Sequence, residues 1–346
     1  MGLQDYIIRR LILMIPTILG VVVLIFAVLQ MIPPESRASL YITDPKQFRN
    51  VGDVIKKYGL DQPVYVQFFA WLNQILHGNF GSSQLGGHKP VLTSFIDRLP
   101  ATVEIVIYSA PLIVFFGIWL GTVSAVNRDK LPDHITRVTS ILGTSLPSFF
   151  FGIILISIFV AQLKWTTLYR LSEQGKLLAD ISRGTFRLYT GLYTIDGLLN
   201  GNIPLFLDAL KHLALPVLVL VFIQSATMVR VTRSSMLEAL SRTYIVAARA
   251  KGLSRKEVIY KHARRNALIP VVTISGLLVG GMLTGLTITE TVFNFGGIGQ
   301  WAAQAAIQLD VSIVIFYAMF SALIFVISNL IVDILYAYID PRIRLG

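Results

Sequence analysis

Six long runs of apolar residues divide the chain of 346 residues, and no other sequence feature constrains its fold as strongly. An α-helix needs about 20 apolar residues to cross a hydrocarbon layer of about 30 Å, and each run is close to that length. The runs cover residues 11–31, 101–126, 138–163, 213–229, 268–289 and 311–338. We therefore predict an all-α membrane protein in which about six transmembrane helices form one domain, residues 1–346.

Composition also indicates a chain that folds in lipid. Hydrophobic residues make up 54% of the sequence and charged residues 14%, whereas charged residues make up about 25% of an average soluble domain. The net charge of +11 could indicate a nucleic-acid partner, but such a partner requires a basic patch on a folded polar surface. Here the basic residues lie in short segments between apolar runs. We predict membrane lipid, and no nucleic acid, among the partners.

Arg9 and Arg10 precede the first run and predict the orientation of the chain. The run is longer than the ~7–15 apolar residues of a signal peptide and no A-x-A cleavage site follows it, so we expect a retained anchor. With both arginines in the cytoplasm, the inside segments are richer in Lys and Arg, as the positive-inside rule requires. Those inside segments are 127–137, 230–266 and 340–346, and the outside segments are 32–100, 164–211 and 290–310. We predict a multi-pass protein of the cell (cytoplasmic) membrane with both termini in the cytoplasm.

Residue patterns for catalysis and cofactor binding are absent from the sequence. The chain has no cysteine, and its five histidines show no metal-ligand spacing. It contains no G-x-x-x-x-G-K-[ST] loop for ATP, no G-x-S-x-G elbow and no H-E-x-x-H helix. We therefore predict that the chain is not an enzyme and that it holds no metal or cofactor itself.

Glu104, Glu290 and Asp333 are acidic residues within the apolar runs or directly beside them. They lie near the ends of the runs and not at the middle, where a proton or sodium site of a secondary transporter is expected. Such a transporter would also show halves related by an internal repeat, and we find none. An ion-coupled secondary transporter therefore remains only as an alternative.

The longest inside segment carries clear signals for helix ends. Tyr244–Lys251 predicts a short alanine-rich helix, and Gly252 predicts its left-handed C-cap. Ser254 and Glu257 form the S-x-x-E pattern of a capping box, which starts a second helix through residue 262. Small residues on one face and cations on the other suit insertion into the groove of a partner, but they also suit a helix resting on anionic lipid. The residues alone leave both interpretations open.

At this segment the sequence resembles the permease subunits of ABC importers, specifically the dipeptide, oligopeptide and nickel group. The run AARAKGLSRKEVIYKHARRNALIPVVT, Ala247–Thr273, is similar to that group's form of the "EAA" loop. Ala247, Ala248 and Gly252 match the alanine pair and the glycine of the loop. Further segments agree in order, so that the resemblance covers nearly the whole chain. They are residues 58–68, 98–105, 190–199, 209–220, 290–300 and 329–344.

The resemblance implies a type I ABC importer-like transmembrane domain that forms half of a translocation pathway for di- or oligopeptides. It implies a second, similar permease subunit, two cytoplasmic ATPase subunits that carry ATP and Mg²⁺, and an extracytoplasmic solute-binding protein. It also implies that the segment 230–266 is a coupling loop that contacts an ATPase. The contact residues implied are Ala247, Ala248, Arg249, Ala250, Lys251, Gly252 and Leu253.

The sequence departs from the family pattern in three places. Val246 stands where the broader motif has Glu, and Pro33–Ser36 stand where relatives commonly have P-G-D-P. The segment 165–186 matches no family motif. The last two departures fall on the outside, where solute arrives, so oligosaccharides and metal chelates remain alternatives to peptides. A membrane scaffold for an ATPase that transports nothing is a further alternative.

Overall fold

The computed structural model describes residues 3–42, 50–83, 89–180, 182, 184 and 186–339. These residues form helices and no β-sheet, with one isolated bridge between Ser82 and Pro90. The α-helices are α1 Leu3–Leu29, α2 Pro34–Ala38, α3 Val51–Tyr58, α4 Val64–Leu76, α5 Val91–Val126, α6 Leu131–Ser145, α7 Ser148–Leu155, α8 Glu173–Leu178, α9 Tyr193–Leu199, α10 Ile203–Ser241, α11 Thr243–Ala250, α12 Arg255–Glu257, α13 Arg264–Leu283, α14 Thr287–Val292, α15 Ile298–Ile307 and α16 Val311–Ile339. A 3₁₀-helix covers Ser39–Tyr41, and π-helices cover Ile156–Gln162 and Val258–Ala263.

The all-helical membrane fold predicted from the apolar runs is confirmed. Among the described residues, five continuous helical stretches are long and apolar enough to cross a membrane. They are Ile7–Leu29, Val91–Val126, Ile203–Ser241, Arg255–Leu283 and Val311–Leu335. Each overlaps one of the predicted runs, and the second and third extend well beyond theirs. Residues 43–49 and 84–88 of the predicted first outside segment, and the predicted inside segment 340–346, lie outside the described residues.

The remaining apolar run, residues 138–163, is not one straight helix. α6 ends at Ser145, and the next helical stretch, Ser148–Gln162, leaves it at an angle of 101°. Leu146 is extended at φ −81° and ψ 124°, as is common before proline, and Pro147 lacks the N–H that would continue α6. The proline therefore divides the run into two helices instead of bending a single one slightly.

Glycines bring the two longest helices, α5 and α10, into direct contact. A Cβ placed on Gly117 would lie 2.2 Å from Met228 Cγ, and one placed on Gly121 would lie 2.5 Å from Thr232 Cβ. In a membrane, helices associate through close packing of this kind, because lipid removes most of the hydrophobic drive between them. Buried apolar side chains continue the contact along both helices: Ala101, Ile105, Val106, Ala110, Ile113, Leu213, Val217 and Leu220. α5 and α10 thus form the centre of the bundle.

The glycine row of the fifth apolar run lies in α13, where part of it packs against α16. A Cβ on Gly276 would lie 2.3 Å from Val332 Cγ2, and one on Gly280 would lie 2.2 Å from Ser328 Oγ. Gly281 faces open space instead. The small residues at four-residue spacing therefore allow close helix packing, which is their ordinary use in membranes.

The predicted first outside segment folds into short helices against the end of α1. α4 begins at Val64, within the stretch 62–76 that the sequence predicts as an amphipathic helix. It buries Gln67 and Trp71, and the Trp71 ring lies 5.3 Å from the ring of Phe26 in α1. This contact anchors the segment to the first span.

Glu104 and Glu290 hold loops against helices. Glu104 is 1% exposed and accepts hydrogen bonds from Arg170 Nε at 2.8 Å and from Thr194 Oγ1 at 2.8 Å. Glu290 is fully buried and accepts a hydrogen bond from Thr102 Oγ1 in α5 at 2.6 Å. Both carboxylates therefore connect separate elements of the fold, which is a structural use of a buried acid.

Candidate functional site

α11 and α12 are joined by a glycine turn, as the sequence predicts. α11 ends at Ala250, and Gly252 has a φ of +76°, in the left-handed region that favours glycine. The Gly252 N–H donates to the Arg249 carbonyl at 3.0 Å, and the Leu253 N–H donates to the Ala248 carbonyl at 3.4 Å. These two bonds form a Schellman motif, which satisfies carbonyl groups at the end of α11. The predicted C-cap is confirmed.

The predicted capping box is present at the start of α12. Ser254 Oγ accepts a hydrogen bond from the Glu257 N–H at 3.3 Å, and the Ser254 N–H donates to Glu257 Oε2 at 3.0 Å. The helix continues through residue 262 as expected, but with π hydrogen bonding over Val258–Ala263. The wider π turn places Val258 and Ala263, five residues apart, against one buried cluster.

The seven residues of the predicted ATPase contact do not share one face. Ala248 is 5% exposed and packs inward, and Leu253 is half-buried against the same cluster. The exposed members are Ala247, Arg249, Ala250, Lys251 and Gly252. Among the described residues, nothing lies within 4 Å of a Cβ built on Gly252. Ala248 and Leu253 therefore position the surface, and the other residues form it.

A buried cluster beneath α11 holds this surface in place. It joins the ends of α5 and α10 to α11, to the π-helical turn and to the start of α13, and its members are Ala125, Met236, Ala239, Ile245, Ala248, Val258, Ile259, Ala263 and Ala267. Met236, Ile245 and Ala263 are completely buried. Protein interiors are close-packed and resist compression, so a displacement of α11 is passed to the helices that share the cluster.

A buried ion pair near this cluster escaped the sequence analysis. Asp133 of α6 accepts two hydrogen bonds from Arg233 of α10, from Nε at 2.7 Å and from Nη2 at 2.9 Å. Asp133 is completely buried and also accepts bonds from Ser124 Oγ at 2.5 Å and from the Asp129 N–H at 3.0 Å. The only signal in the sequence is an acidic residue within the basic segment 127–137. Its partner lies 100 residues away, beyond the reach of any local pattern.

The exposed side of α11 combines apolar and basic side chains. Tyr244 is 38% exposed and Val246 is 62% exposed, and Arg249 and Lys251 are exposed beside them. Within the described part of the chain, no group of three or more His, Asp or Glu side chains is arranged to hold a metal ion. Exposed apolar and basic side chains of this kind suit contact with another protein or with anionic lipid.

A bundle of membrane-crossing helices around α5 and α10 defines a multi-pass helical membrane protein. Comparison with known proteins then gives the family. The chain matches the family model described as "Binding-protein-dependent transport system inner membrane component" over residues 99–345, and the model for the N-terminal region of such components over residues 3–114. The chain belongs to this family of inner membrane components of binding-protein-dependent transport systems.

Individual relatives agree with the family over nearly full length. The chain is 39% identical over 343 residues to the di/tripeptide transport system permease protein of Pseudomonas aeruginosa (strain UCBPP-PA14), with 98% of each chain covered. It is 38% identical over 327 residues to the probable D,D-dipeptide transport system permease protein of Escherichia coli (strain K12), with 94% of each covered. It is 34% identical over 340 residues to the oligopeptide transport system permease protein of Bacillus subtilis (strain 168), covering 98% of this chain and 99% of the relative. The resemblance to ABC importer permeases of the dipeptide, oligopeptide and nickel group is confirmed.

Proposed function

We propose that the chain is one of two permease subunits of an ABC importer for di- or oligopeptides and forms half of the translocation pathway. The names of its relatives, which are di/tripeptide, dipeptide and oligopeptide permeases, support peptides as the solute. The family description supports delivery of the solute by a separate binding protein. A second, similar permease subunit completes the pathway.

In this proposal the exposed side of α11 and the Gly252 turn insert into a groove of a cytoplasmic ATPase. Two such ATPases bind ATP and Mg²⁺, and this chain supplies no nucleotide-binding residues. The observation that carries the assignment is an exposed, basic surface fixed on a buried cluster that α5, α10 and α13 share. Closure of the ATPases on ATP moves α11, and the cluster passes that movement to the spanning helices. The pathway then alternates between its inward-open and outward-open states.

This arrangement requires the α11 surface and both termini to lie in the cytoplasm. The short helices α2, α3 and α4, with α8 and α9 from the second predicted outside segment, then lie on the opposite side of the membrane. Their position suits contact with the solute-binding protein. The excess of Lys and Arg in the segments that would lie inside supports the orientation.

Gly252→Val tests the docking surface. Valine is strongly disfavoured at a φ of +76°, and a left-handed conformation costs a residue with a side chain about 1–2 kcal/mol. We expect dipeptide uptake and solute-stimulated ATPase activity to fall about tenfold or more, because the turn is displaced from the ATPase. The amount of protein in the membrane should be unchanged. Uptake is measured with a labelled dipeptide in vesicles or proteoliposomes that contain the complete transporter.

Gly201→Val is the matched control. Gly201 has a φ of +65° and also has open space around its Cβ position, but it lies in the turn between α9 and α10. Its valine variant carries similar strain on the other side of the membrane from the proposed ATPase contact. Copurification of the ATPase subunits should therefore stay at the wild-type level in Gly201→Val and fall in Gly252→Val. Undiminished uptake by Gly252→Val, or an equal loss of ATPase copurification in both variants, would contradict the proposal.

A further inference from the structure

A cleft of ≈ 110 Å³ lies where the first span ends and the short helices begin. Its walls include Phe26 of α1, Arg37 of α2, Tyr58 of α3 and Trp71 of α4. Neither the α11 surface nor α5 and α10 contributes to it. This outer cleft is therefore separate from the proposed ATPase contact and from the central pair of helices, and its walls come from the end of α1 and from the short helices on the proposed outer side.

Arg37 is buried beside the outer cleft, and its hydrogen-bond partners among the described residues are neutral. It is 5% exposed, and its Nη1 donates to Gln30 Oε1 at 2.8 Å and to Gln67 Oε1 at 2.7 Å. Among the described residues its Nε finds no hydrogen-bond acceptor. The charge of Glu35 acts on Arg37, but no carboxylate of the described residues forms an ion pair with it. Buried charges are ordinarily paired or bound to a ligand, so the guanidinium has room for an anionic partner.

The residues that line the cleft include two cations and no acidic side chain, and the nearest acid acting on Arg37 is Glu35 of α2. Lys57 contributes a second cation to its wall. Burial raises the pKa of Tyr41 to about 12, so this phenol stays neutral at physiological pH and supplies no counter-charge. Burial likewise lowers the pKa of Arg37, which reflects the loss of water around its charge. An anion in the cleft would compensate both cations.

The position of the cleft at the end of a membrane span indicates which kind of anion it can bind. α1 is the span least covered by the rest of the chain, with 11% of its most apolar window buried, so most of its apolar surface is open to lipid or to another subunit. The cleft opens at the end of this span, at the level where phospholipid headgroups lie. Tyr41, Tyr58 and Trp71 line it, and Tyr and Trp are the residues enriched at membrane interfaces. A soluble anion would not explain this apolar and aromatic wall.

We propose that the outer cleft binds the phosphate group of a membrane phospholipid, with Arg37 as the principal donor and Lys57 as the second cation. Phosphate oxygens accept charge-assisted hydrogen bonds from a guanidinium, and the buried Nε of Arg37 has no acceptor among the described residues. Phe26 and Trp71 give the apolar start of the lipid chains a surface to lie on. The inference does not depend on the identity of the transported solute.

Arg37→Met tests this site in the full-length chain purified with its copurifying subunits in dodecyl maltoside. The wild-type protein should show a rise in thermal unfolding temperature when short-chain phosphatidylglycerol is added, and should retain phospholipid in native mass spectrometry. In the variant the apparent lipid affinity should fall about tenfold or more, because charge-assisted bonds are lost. Without lipid the variant should lose some stability, because Gln30 Oε1 and Gln67 Oε1 lose the hydrogen bonds that Arg37 donates. The comparison therefore uses the rise in unfolding temperature on adding lipid, and not the starting temperature.

Two matched variants complete the test. Arg187→Met removes an arginine that stacks on Tyr189 away from the cleft, and its lipid response should equal that of wild type. Lys57→Gln changes an exposed residue and should fold normally, with a weaker lipid response than wild type. An identical lipid response in wild type, Arg37→Met and Lys57→Gln would overturn the site. Equal stabilisation of the wild type by inorganic phosphate at the same concentration would overturn its assignment to lipid.

Discussion

Arg37 and Arg233 are both largely buried arginines, but their guanidinium groups have different partners. Arg233 meets a completely buried carboxylate, Asp133, through two short hydrogen bonds. Among the described residues, Arg37 donates hydrogen bonds to the side-chain amides of Gln30 and Gln67 and forms no ion pair. The first pair compensates its own charge and stabilises the fold. The second leaves a charge for an external partner, which is the basis of the proposed lipid site.

Asp133→Asn should destabilise the protein, because the amide keeps the shape of the carboxylate but leaves Arg233 without a counter-charge. Breaking a fully buried pair costs about 3–5 kcal/mol. Here we expect roughly 2–3 kcal/mol, because the Arg233 side chain is 21% exposed and water screens part of its charge. Thermal unfolding of the purified protein measures the loss.

Glu173→Gln is the control for that prediction. Glu173 pairs with Lys176 at 2.6 Å outside the membrane-crossing helices, and their side chains are 86% and 50% exposed. An exposed pair contributes only about 0–1 kcal/mol. If the two amide variants lost equal stability, the Asp133–Arg233 pair would not contribute to stability as proposed.

At the scale of elements, the bundle depends on glycines that admit a neighbouring helix. Gly117 and Gly121 of α5 receive Met228 and Thr232 of α10, and Gly276 and Gly280 of α13 meet α16. A row of small residues in the sequence predicts such a contact but does not identify the neighbour. In α13 the same row includes Gly281, which faces open space. The position of the partner helix therefore decides which of these glycines are needed for close packing.

Gly121→Ala should weaken the α5–α10 contact, because the new Cβ would lie 2.5 Å from Thr232 Cβ and 2.9 Å from the Val229 carbonyl oxygen. Overpacking of this kind costs about 1–3 kcal/mol. Gly20→Ala adds the same methyl group to α1, where nothing in the described chain lies within 4 Å, and should be neutral or stabilising by up to ~1 kcal/mol. Thermal unfolding of the two purified variants gives the comparison, and similar stabilities would contradict the packing described.

At the scale of the whole molecule, the α11 surface and the outer cleft lie in segments that the topology prediction assigns to opposite sides of the membrane. The α11 surface faces the proposed ATPase subunits, and the outer cleft lies at the end of α1. α5 and α10 run the length of the bundle between these levels, because both helices exceed the ~20 residues that a membrane requires. Their extensions beyond the apolar runs carry the contacts with the loops.

Single cysteines test this orientation directly, because the natural chain contains no cysteine. Lys256→Cys, in α12, should react with a membrane-impermeant maleimide only after cells are made permeable. Gln174→Cys, in α8, should react in intact cells once any outer barrier is opened, since its side chain is exposed on the proposed outer side. Labelling of Lys256→Cys in intact cells would reverse the proposed topology.

The sequence alone determined the features that depend on neighbours a few residues away. The membrane spans follow from runs of apolar residues, the Gly252 C-cap follows from a single glycine after α11, and the Ser254 capping box follows from a four-residue pattern. Each is a local interaction, so its signal survives in the linear order of residues. The role proposed for the loop came from the family resemblance, because physical reasoning from the residues left it open.

Only the tertiary structure decided which face of α11 turns inward, because Ala247 and Ala248 are identical in chemistry and differ only in what lies beneath them. It also decided the 101° break beside Pro147 and the pairing of Asp133 with a residue 100 positions away. Contacts of this kind depend on how distant helices pack, and that packing minimises voids and unpaired buried charges over the whole bundle. No short stretch of sequence contains that information.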